Sequence, residues 1–215
     1  MEDIVLVGSG GFAREVRWLI EECNKIENKW NILGWISKEV PGTEISGLPV
    51  LGDDDWLMEY NKPINVVVSI GSGSLRKKIV ERYKSNSNIM FPNIIAPTAS
   101  VGRTVKMGCG CIITAQNVLT VDTIIGNFFI SNLATTIGHD CQIGDYVTLC
   151  PGAHISGGVT LGNFTTVGTG ASIIQELSVG DNSFIGAGAA VVRNVPENCT
   201  VVGVPARILE KKNEY

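Results

Sequence analysis

A six-residue period runs through the second half of this chain and constrains its fold more than any other feature. From residue 95 onward an aliphatic residue returns at every sixth position, and only Ser131 breaks the series. Glycine often follows the aliphatic residue, and the fifth position of the repeat is usually small. A period of six held over this length is typical of a parallel β-helix. The aliphatic positions, which we expect to point inward, are Ile95, Val101, Met107, Ile113, Leu119, Ile125, Ile137, Ile143, Leu149, Ile155, Leu161, Val167, Ile173, Val179, Ile185 and Val191.

The residues before this repeat follow a different pattern. Short apolar runs alternate with stretches of helical periodicity, which predicts a small, Rossmann-like parallel α/β sheet. We expect strands at 4–7, 31–36, 64–70 and 89–91, a strand or loop at 47–52, and helices at 12–24, 53–60 and 74–83, the last capped by Ser74. The expected domains are residues 1–92 and 93–215. The charged C-terminal tail is a candidate cap over the open end of the β-helix; it contains Glu210, Lys211, Lys212 and Glu214.

Composition narrows the classes of function. The chain of 215 residues is 44% hydrophobic and 18% charged, which favours a folded protein over a disordered one. A formal net charge of -4 gives no electrostatic attraction to nucleic acid or to an anionic membrane. No apolar run approaches the roughly 20 residues of a membrane span, and the start Met1-Glu2-Asp3 lacks the basic residues of a signal peptide. We therefore expect a cytoplasmic protein with no nucleic-acid partner and no membrane insertion.

The cysteines and histidines argue against a metal site. Four of the six cysteines occupy small-residue slots of the repeat, and in a cytosolic chain we expect reduced packing residues rather than disulfides. The run Cys109-Gly110-Cys111 lacks the spacing of paired CxxC motifs. Two histidines cannot build a site of several imidazole ligands within one chain, and we expect no metal.

A glycine turn follows the first predicted strand and opens the first predicted helix. In its pattern Gly8-x-Gly10-x-x-Ala13, glycine lets the backbone approach a phosphate, and the helix N-terminus supplies N–H donors. A nicotinamide dinucleotide site needs an acidic residue about 20 positions later. The chain has Ser37 in that region, with Glu39 as a weak substitute. We therefore favour a phosphate or nucleotide site over a merely tight strand-to-helix turn, and we disfavour a redox dinucleotide.

A second glycine loop, Gly71-Ser72-Gly73-Ser74, follows the third predicted strand. The carboxyl ends of parallel strands meet at one edge of a sheet, and ligands bind in the crevice outside them. The two glycine loops are therefore expected to border one ligand crevice.

A histidine interrupts the repeat in the run Gly138-His139-Asp140-Cys141. With Ile137 as the inward residue, His139 takes the third position of its repeat, away from the interior. One interpretation is a structural surface histidine. The other is a general base, since an imidazole pKa of about 6.5 suits proton removal at neutral pH. Asp140 either orients that imidazole or is a solvated turn residue.

Residues 18 positions apart (three repeats of six) are expected to stack, because three repeats make one coil of a triangular β-helix and coils lie ~4.8 Å apart. Gly157 then lies one coil beyond His139, where its backbone N–H can serve as an oxyanion donor. Thr169 and Ala187 share another column, in which small residues leave a groove for an extended ligand. His154 takes position six of its repeat, and we interpret it as structural.

Together these motifs resemble the left-handed β-helix acyltransferases. The resemblance rests on the hexapeptide run, the Gly-His-Asp-Cys turn at 138–141 and the closing Gly203-Val204-Pro205-Ala206. The N-terminal Gly8-Ser9-Gly10-Gly11-Phe12-Ala13 and the Ile70-Gly71-Ser72 loop narrow it to the sugar O- and N-acetyltransferases of the sialic acid O-acetyltransferase family. That family includes enzymes acting on nucleotide-linked 4-amino-4,6-dideoxy sugars. The resemblance covers essentially the whole chain.

This resemblance implies an acetyl-CoA-dependent homotrimer with active sites between neighbouring subunits. It implies that His139 is the general base and that Asp140 is its acidic neighbour. It also implies that the N-terminal loops hold the nucleotide sugar and that Asn132 contacts the acceptor. Acetyl-CoA then lies along the β-helix groove, against Gly157, Thr169 and Ala187.

The chain departs from the family pattern at three positions. Phe12 and Ser37, which we still expect to line the substrate site, replace a histidine and an acidic residue found in many relatives. Thr148 replaces a second histidine found in some amino-sugar enzymes. Acetyl transfer to a sugar amine stays the expected reaction, with O-acetylation of a sugar hydroxyl such as sialic acid as the alternative. A non-catalytic binding module is a further class, and a β-helix carbonic anhydrase is disfavoured because it requires three zinc-binding histidines.

Overall fold

The computed structural model describes residues 1–209, and the expected cap formed by the charged tail lies outside them. The first part of the chain forms one six-stranded sheet with three helices. Its elements are β1 (Glu2–Val7), α1 (Gly11–Ile26), β2 (Trp30–Ile36), β3 (Glu44–Ile45), β4 (Leu48–Gly52), α2 (Asp54–Glu59), β5 (Ile64–Val68), α3 (Gly73–Tyr83) and β6 (Ile89–Met90). The strand order is β3-β4-β2-β1-β5-β6, and β3 alone runs antiparallel to its neighbour. The predicted parallel α/β sheet is confirmed, and the ambiguous segment at 47–52 is a strand.

Two of the helices begin at side-chain caps. The Asp53 carboxylate accepts a hydrogen bond from the Asp55 N–H at 3.0 Å and so starts α2. The predicted cap of α3 is wrong, because Ser72 and not Ser74 accepts from the Leu75 N–H, at 3.4 Å. A cap residue needs an extended backbone. Ser72 has one, with φ -68° and ψ 115°, whereas Ser74 already belongs to the first helical turn.

From Ile94 onward the chain winds into a triangular prism with three parallel-stranded faces. Face 1 contains β7 (Ile94–Ile95), β10 (Ile112–Ile113), β13 (Ile130–Ser131), β16 (Thr148–Leu149), β19 (Thr166–Val167), β22 (Phe184–Ile185), β24 (Thr200–Val202) and the antiparallel edge strand β25 (Arg207–Ile208). Face 2 contains β8 (Ser100–Val101), β11 (Val118–Leu119), β14 (Thr136–Ile137), β17 (His154–Ile155), β20 (Ser172–Ile173) and β23 (Ala190–Val191). Face 3 contains β9 (Lys106–Met107), β12 (Ile124–Ile125), β15 (Gln142–Ile143), β18 (Thr160–Leu161) and β21 (Ser178–Val179). The predicted left-handed parallel β-helix is confirmed.

Each strand pairs with the strand one coil further along, so residues 18 apart stack as predicted, for example Ile137 with Ile155. Turns between the faces form the three corners of the prism. The 1/2 corner, between faces 1 and 2, includes residues 132–135 and 168–171. The 2/3 corner includes residues 138–141 and 156–159, and the 3/1 corner includes residues 126–129 and 144–147.

The interior of the prism follows the six-residue pattern. The second residue of each two-residue parallel strand points inward and is buried from Ile113 to Val191. In the first coil Ile95 is still 37% exposed, because no earlier coil covers it. Ser131, the exception in the series, is also buried, and its hydroxyl bonds to the side chains of Asn117 and Thr135. A polar cluster therefore replaces one aliphatic side chain in the interior.

The sheet domain packs on face 1 and on the 3/1 corner. Outward-facing Ile94, Ile112 and Ile130 of face 1 are buried in one apolar cluster with residues of α1. At the 3/1 corner Phe128 and Tyr146 stack with ring centroids 5.3 Å apart and belong to a second cluster of the sheet domain. The opposite side of the prism stays open to solvent.

All six cysteines are free; Cys111 and Cys141 are buried, whereas Cys109 is exposed. Burial raises the pKa of the Cys111 thiol to about 12, so this thiol stays protonated at neutral pH. Within residues 1–209, none of the helices is both long enough and apolar enough to cross a membrane.

Candidate active site

The turn at 138–141 occupies the 2/3 corner and exposes a histidine and an aspartate. The side chains of His139 and Asp140 are 67% and 66% exposed. Asp140 has a left-handed backbone with φ 59°, which aspartate tolerates better than most residues. The Nδ1 atom of His139 lies 2.7 Å from Oδ2 of Asp140. Because a carboxylate only accepts hydrogen bonds, Nδ1 carries the proton and the lone pair of Nε2 is free to take another.

Gly157 lies directly against the His139 imidazole, as the spacing of 18 residues predicts. A Cβ atom on Gly157 would lie 2.6 Å from both Cε1 and Nε2 of His139, so only glycine leaves room for the ring. The Gly157 carbonyl accepts from the Glu176 N–H at 3.0 Å, whereas the Gly157 N–H has no acceptor among residues 1–209. The His139 imidazole and the Gly157 N–H donor are therefore adjacent.

The other predicted β-helix residues lie on the 1/2 corner. Thr169 and Ala187 are exposed and one coil apart, and the Gly188 N–H donates to the Thr169 carbonyl at 2.8 Å. Asn132 lies on the same corner two coils earlier, where its Oδ1 accepts from the Leu133 N–H at 2.8 Å. The Thr169 and Ala187 positions form a strip without bulky side chains along this corner.

The two glycine loops lie side by side at the carboxyl edge of the sheet. A Cβ atom on Gly8 would lie 3.0 Å from Cδ1 of Ile70 and 3.5 Å from the carbonyl oxygen of Ser69. Cβ atoms on Gly10 and Gly71 would meet nothing within 4 Å, so both loops border open space. The Ser69 hydroxyl is buried here and has no hydrogen-bond partner in the described part of the chain. A bound polar group is one way to satisfy it.

Phe12 and Ser37 lie beside the first loop. Neither of these two side chains carries a charge. Phe12 is partly buried and packs on the core cluster beneath α1. The Ser37 N–H donates to the Gly52 carbonyl at 2.9 Å, and its hydroxyl accepts from the Glu39 N–H at 3.2 Å. This side of the crevice therefore presents neutral side chains at both positions.

A groove of about 580 Å³ connects the second glycine loop with face 1. Its lining carries no charged side chain and includes residues 71–74, Thr148, Cys150 and Thr166. The Thr148 hydroxyl donates to the Gly71 carbonyl at 2.8 Å. The groove thus provides an uncharged passage between the loop and the β-helix.

Within one chain the predicted site residues fall into two groups on opposite sides of the prism. His139, Asp140 and Gly157 lie on the 2/3 corner, which is the edge opposite face 1. The sheet domain packs on the first coils of face 1, so both glycine loops lie on that other side. The 1/2 corner with Thr169 and Ala187 borders face 1. One copy of the chain therefore assembles the loops and the groove but leaves the histidine at the far edge.

Three further positions near these loops were not assigned a role from the sequence. The sequence places Ser69 only within a predicted strand. It identifies Thr148 only as a departure from the family pattern. Arg76 is fully buried between the second loop and the β-helix. In the sequence it stands in Leu75-Arg76-Lys77-Lys78, a run typical of an exposed basic helix face, so no local signal identifies it.

His154 lies apart from both groups. It is exposed on face 2, with Nδ1 2.9 Å from Oγ1 of Thr136. Residues 1–209 contain no group of three or more His, Cys, Asp or Glu side chains placed to hold a metal ion.

Stacked hexapeptide coils with a histidine-bearing turn define the class of left-handed β-helix acyltransferases. A family model described as the PglD N-terminal domain matches residues 3–83. GDP-perosamine N-acetyltransferase from Escherichia coli O157:H7 is 30% identical over 153 residues, which cover 71% of this chain and 69% of that enzyme.

Solved structures of two relatives superpose on nearly the full length of this chain. A variant of perosamine N-acetyltransferase from Caulobacter crescentus, in complex with CoA and GDP-perosamine, superposes with a TM-score of 0.90 at 28% identity and covers 98% of both chains. The acetyltransferase domain of PglB from Neisseria gonorrhoeae, in complex with acetyl coenzyme A, has a TM-score of 0.89 at 29% identity over 97% of this chain and 99% of that one. The chain belongs to the family of nucleotide-sugar N-acetyltransferases, and the predictions of this family and of an acetyltransferase are confirmed.

Proposed function

We propose that this protein transfers the acetyl group of acetyl-CoA to the amino group of a nucleotide-linked amino-deoxy sugar. The relatives that bind CoA or acetyl-CoA and GDP-perosamine support this reaction. The observation that carries the proposal is the His139 imidazole, held by Asp140 at 2.7 Å, with the Gly157 N–H, which has no acceptor among residues 1–209, beside it.

In the proposed mechanism the sugar amine attacks the carbonyl carbon of the thioester. Nε2 of His139 removes a proton from the attacking nitrogen as the C–N bond forms. The N–H of Gly157 donates to the oxyanion of the tetrahedral intermediate. Collapse of that intermediate restores the carbonyl and breaks the C–S bond, the imidazolium returns its proton to the CoA thiolate, and CoA and the amide are released. Asp140 holds the required tautomer and stabilises the imidazolium, as the acidic member of a catalytic triad does.

We assign the nucleotide sugar to residues 1–92 and acetyl-CoA to the β-helix within residues 93–215. The substrate contacts are assigned to Gly8, Ser9, Gly10, Gly11, Phe12, Ser37, Gly71 and Ser72, which surround or border the open crevice. The unsatisfied Ser69 hydroxyl supports a polar ligand there. Thr169 and Ala187 are assigned to the pantetheine chain because their strip carries no bulky side chain. Asn132, on the same corner, is assigned to the acceptor.

A homotrimer would complete the site, because one chain leaves its histidine far from its glycine loops. Val121 and Ile124, at and beside the 2/3 corner, are 46% and 53% exposed. At the same height an apolar groove of about 430 Å³ lies between α1 and the 1/2 corner, lined in part by Trp18 and Leu133. Inserting one copy's 2/3 corner into the next copy's groove is a heterologous contact that can close into a ring. It would bring His139 beside the neighbour's loops.

The acceptor is tested by measuring CoA release with GDP-perosamine and with sialic acid at equal concentrations. We expect release with the amino sugar and about 10²-fold less, or none, with the hydroxyl acceptor, since a site built for one polar group discriminates strongly against another. A preference for sialic acid would replace the proposal with O-acetylation. No release with either acceptor, together with no thermal shift by acetyl-CoA, would instead indicate a non-catalytic binding module.

A further inference from the structure

A buried arginine joins the second glycine loop to the β-helix. Arg76, in the first turn of α3, is 0% exposed. No carboxylate contacts its guanidinium among residues 1–209, and its partners are backbone carbonyls and one hydroxyl. Desolvation lowers the pKa of Arg76 to about 10, which still leaves it charged at neutral pH. A buried charge without a counter-ion is unfavourable unless many acceptors satisfy it. A functional role would explain why Arg76 is buried in this way.

The carbonyl partners of Arg76 belong to two separate parts of the fold. In the second glycine loop, the guanidinium donates to the carbonyls of Ile70 at 2.6 Å and Gly71 at 3.1 Å. On the 3/1 corner it donates to the carbonyls of Phe128 at 2.9 Å and Tyr146 at 2.8 Å. One side chain therefore ties the loop to two consecutive coils of the β-helix.

Two further contacts hold the same loop from the β-helix side. The Thr148 hydroxyl accepts from Arg76 at 3.2 Å and donates to the Gly71 carbonyl at 2.8 Å. A Cβ atom on Gly73 would lie 2.4 Å from the Tyr146 carbonyl oxygen, so the start of α3 approaches that turn as closely as glycine allows. Among residues 1–209 the first glycine loop has no such hydrogen-bonded link and is held by its own sheet, for example through the Gly8 N–H and the Ile36 carbonyl at 2.9 Å.

We propose that Arg76 is a positioning residue for the nucleotide sugar, which it serves by fixing the second glycine loop and the N-terminus of α3 at the wall of the acceptor crevice. The inference rests on the proposed function and deepens it. A displacement of about 1 Å in a positioning group can reduce reaction efficiency about 10²-fold. Because the proposed acetyl-CoA strip lies on the 1/2 corner, loosening this clamp affects the sugar nucleotide and spares the cofactor.

Two variants test the clamp without removing the fold. Arg76→Lys keeps the charge but loses the planar fork, and Thr148→Val keeps the shape but loses both hydrogen bonds. For each we expect amide hydrogen exchange at residues 70–74 to accelerate about tenfold, with residues 8–12 unchanged. The KM for GDP-perosamine should rise about tenfold while the KM for acetyl-CoA stays within about twofold. Arg82→Lys is the matched control, since Arg82 lies on the same helix in exposed ion pairs with Asp54 and Asp55.

Unchanged exchange at residues 70–74 in the folded variants overturns the positioning role, whatever happens to activity. Equal rises in both KM values also overturn it, because they indicate a general structural effect. If Arg76→Lys does not fold, Thr148→Val decides the question alone. If the wild-type protein releases no CoA with GDP-perosamine, the proposed acceptor is wrong, and the exchange measurement still decides whether the clamp exists.

Discussion

The His139 imidazole rests against the backbone of Gly157, where a Cβ atom would lie 2.6 Å from Nε2. We expect Gly157→Ala to push the ring out of position and to lower kcat by about 10²-fold, with little change in thermal unfolding. Gln175→Ala is the matched control, because Gln175 is exposed one coil further along the same column. Its kcat should stay within about twofold of wild type. A Gly157→Ala enzyme with full kcat would show that the base is elsewhere.

At the residue scale, the sequence predicted those placements that depend on the repeat. A strict period relates sequence separation to position along the β-helix. The sequence alone therefore predicts that Gly157 stacks on His139. Arg76 could not be found in this way. Its contact with Tyr146 spans 70 residues and arises only when the sheet domain packs on the β-helix. Nothing in the local pattern around Arg76 records that packing.

Among the elements, a buried polar cluster joins the coil that begins at Ile112 to the coil that begins at Ile130. The Asn117 amide donates to the Thr114 carbonyl at 2.8 Å and to the Asn132 carbonyl at 3.1 Å. Its Oδ1 accepts from the hydroxyls of Ser131 and Thr135. Ser131 interrupts the aliphatic series because its hydroxyl belongs to this cluster. The cluster in turn holds the turn that carries Asn132.

Removing the centre of this cluster should destabilise the β-helix. Asn117→Ala leaves two buried hydroxyls and two carbonyls short of a partner, and we expect a loss of about 1–3 kcal/mol in the free energy of unfolding. Urea denaturation measures this loss. The control is Asn31→Ala on the exposed side of β2, which should change stability by no more than about 0.5 kcal/mol. A loss as small as that of the control would mean that water replaces the cluster's hydrogen bonds.

The order and type of most elements followed from periodicity, whereas β3, β24 and β25 were not predicted and the ends of several elements differ. The sequence predicted Ser74 as the cap of α3, whereas the helix begins at Gly73 and its cap is Ser72. The docking face of the sheet domain is nevertheless marked in the sequence by a column of isoleucines. Ile94, Ile112 and Ile130 repeat at outward positions, and solvent-facing positions rarely carry a column of isoleucines.

On the scale of the whole molecule, the two halves of the proposed site lie on opposite sides of one chain. The six-residue repeat locates residues along the prism, but it does not place the two glycine loops relative to the histidine. The docking of the sheet domain on face 1 supplies that information. A site shared between two copies would bring these two halves together, as the proposed function requires.

Two single variants each disable one half of the proposed site. His139→Ala should lower turnover by about 10²–10⁴-fold if the imidazole is the general base. Gly10→Asp should block the nucleotide sugar, because its carboxylate would repel the phosphates beside the loop. A Cβ atom on Gly10 would meet nothing within 4 Å, so this change should not disturb the fold.

The most direct measurement is CoA release by the assembly formed when the two variants are co-expressed in equal amounts. If each site combines the His139 turn of one copy with the glycine loops of the next, random assembly gives an intact turn and an intact loop in about one site in four. Turnover should then recover to about a quarter of the wild-type value. A mixture that stays as inactive as the single variants would contradict a site shared between neighbouring copies.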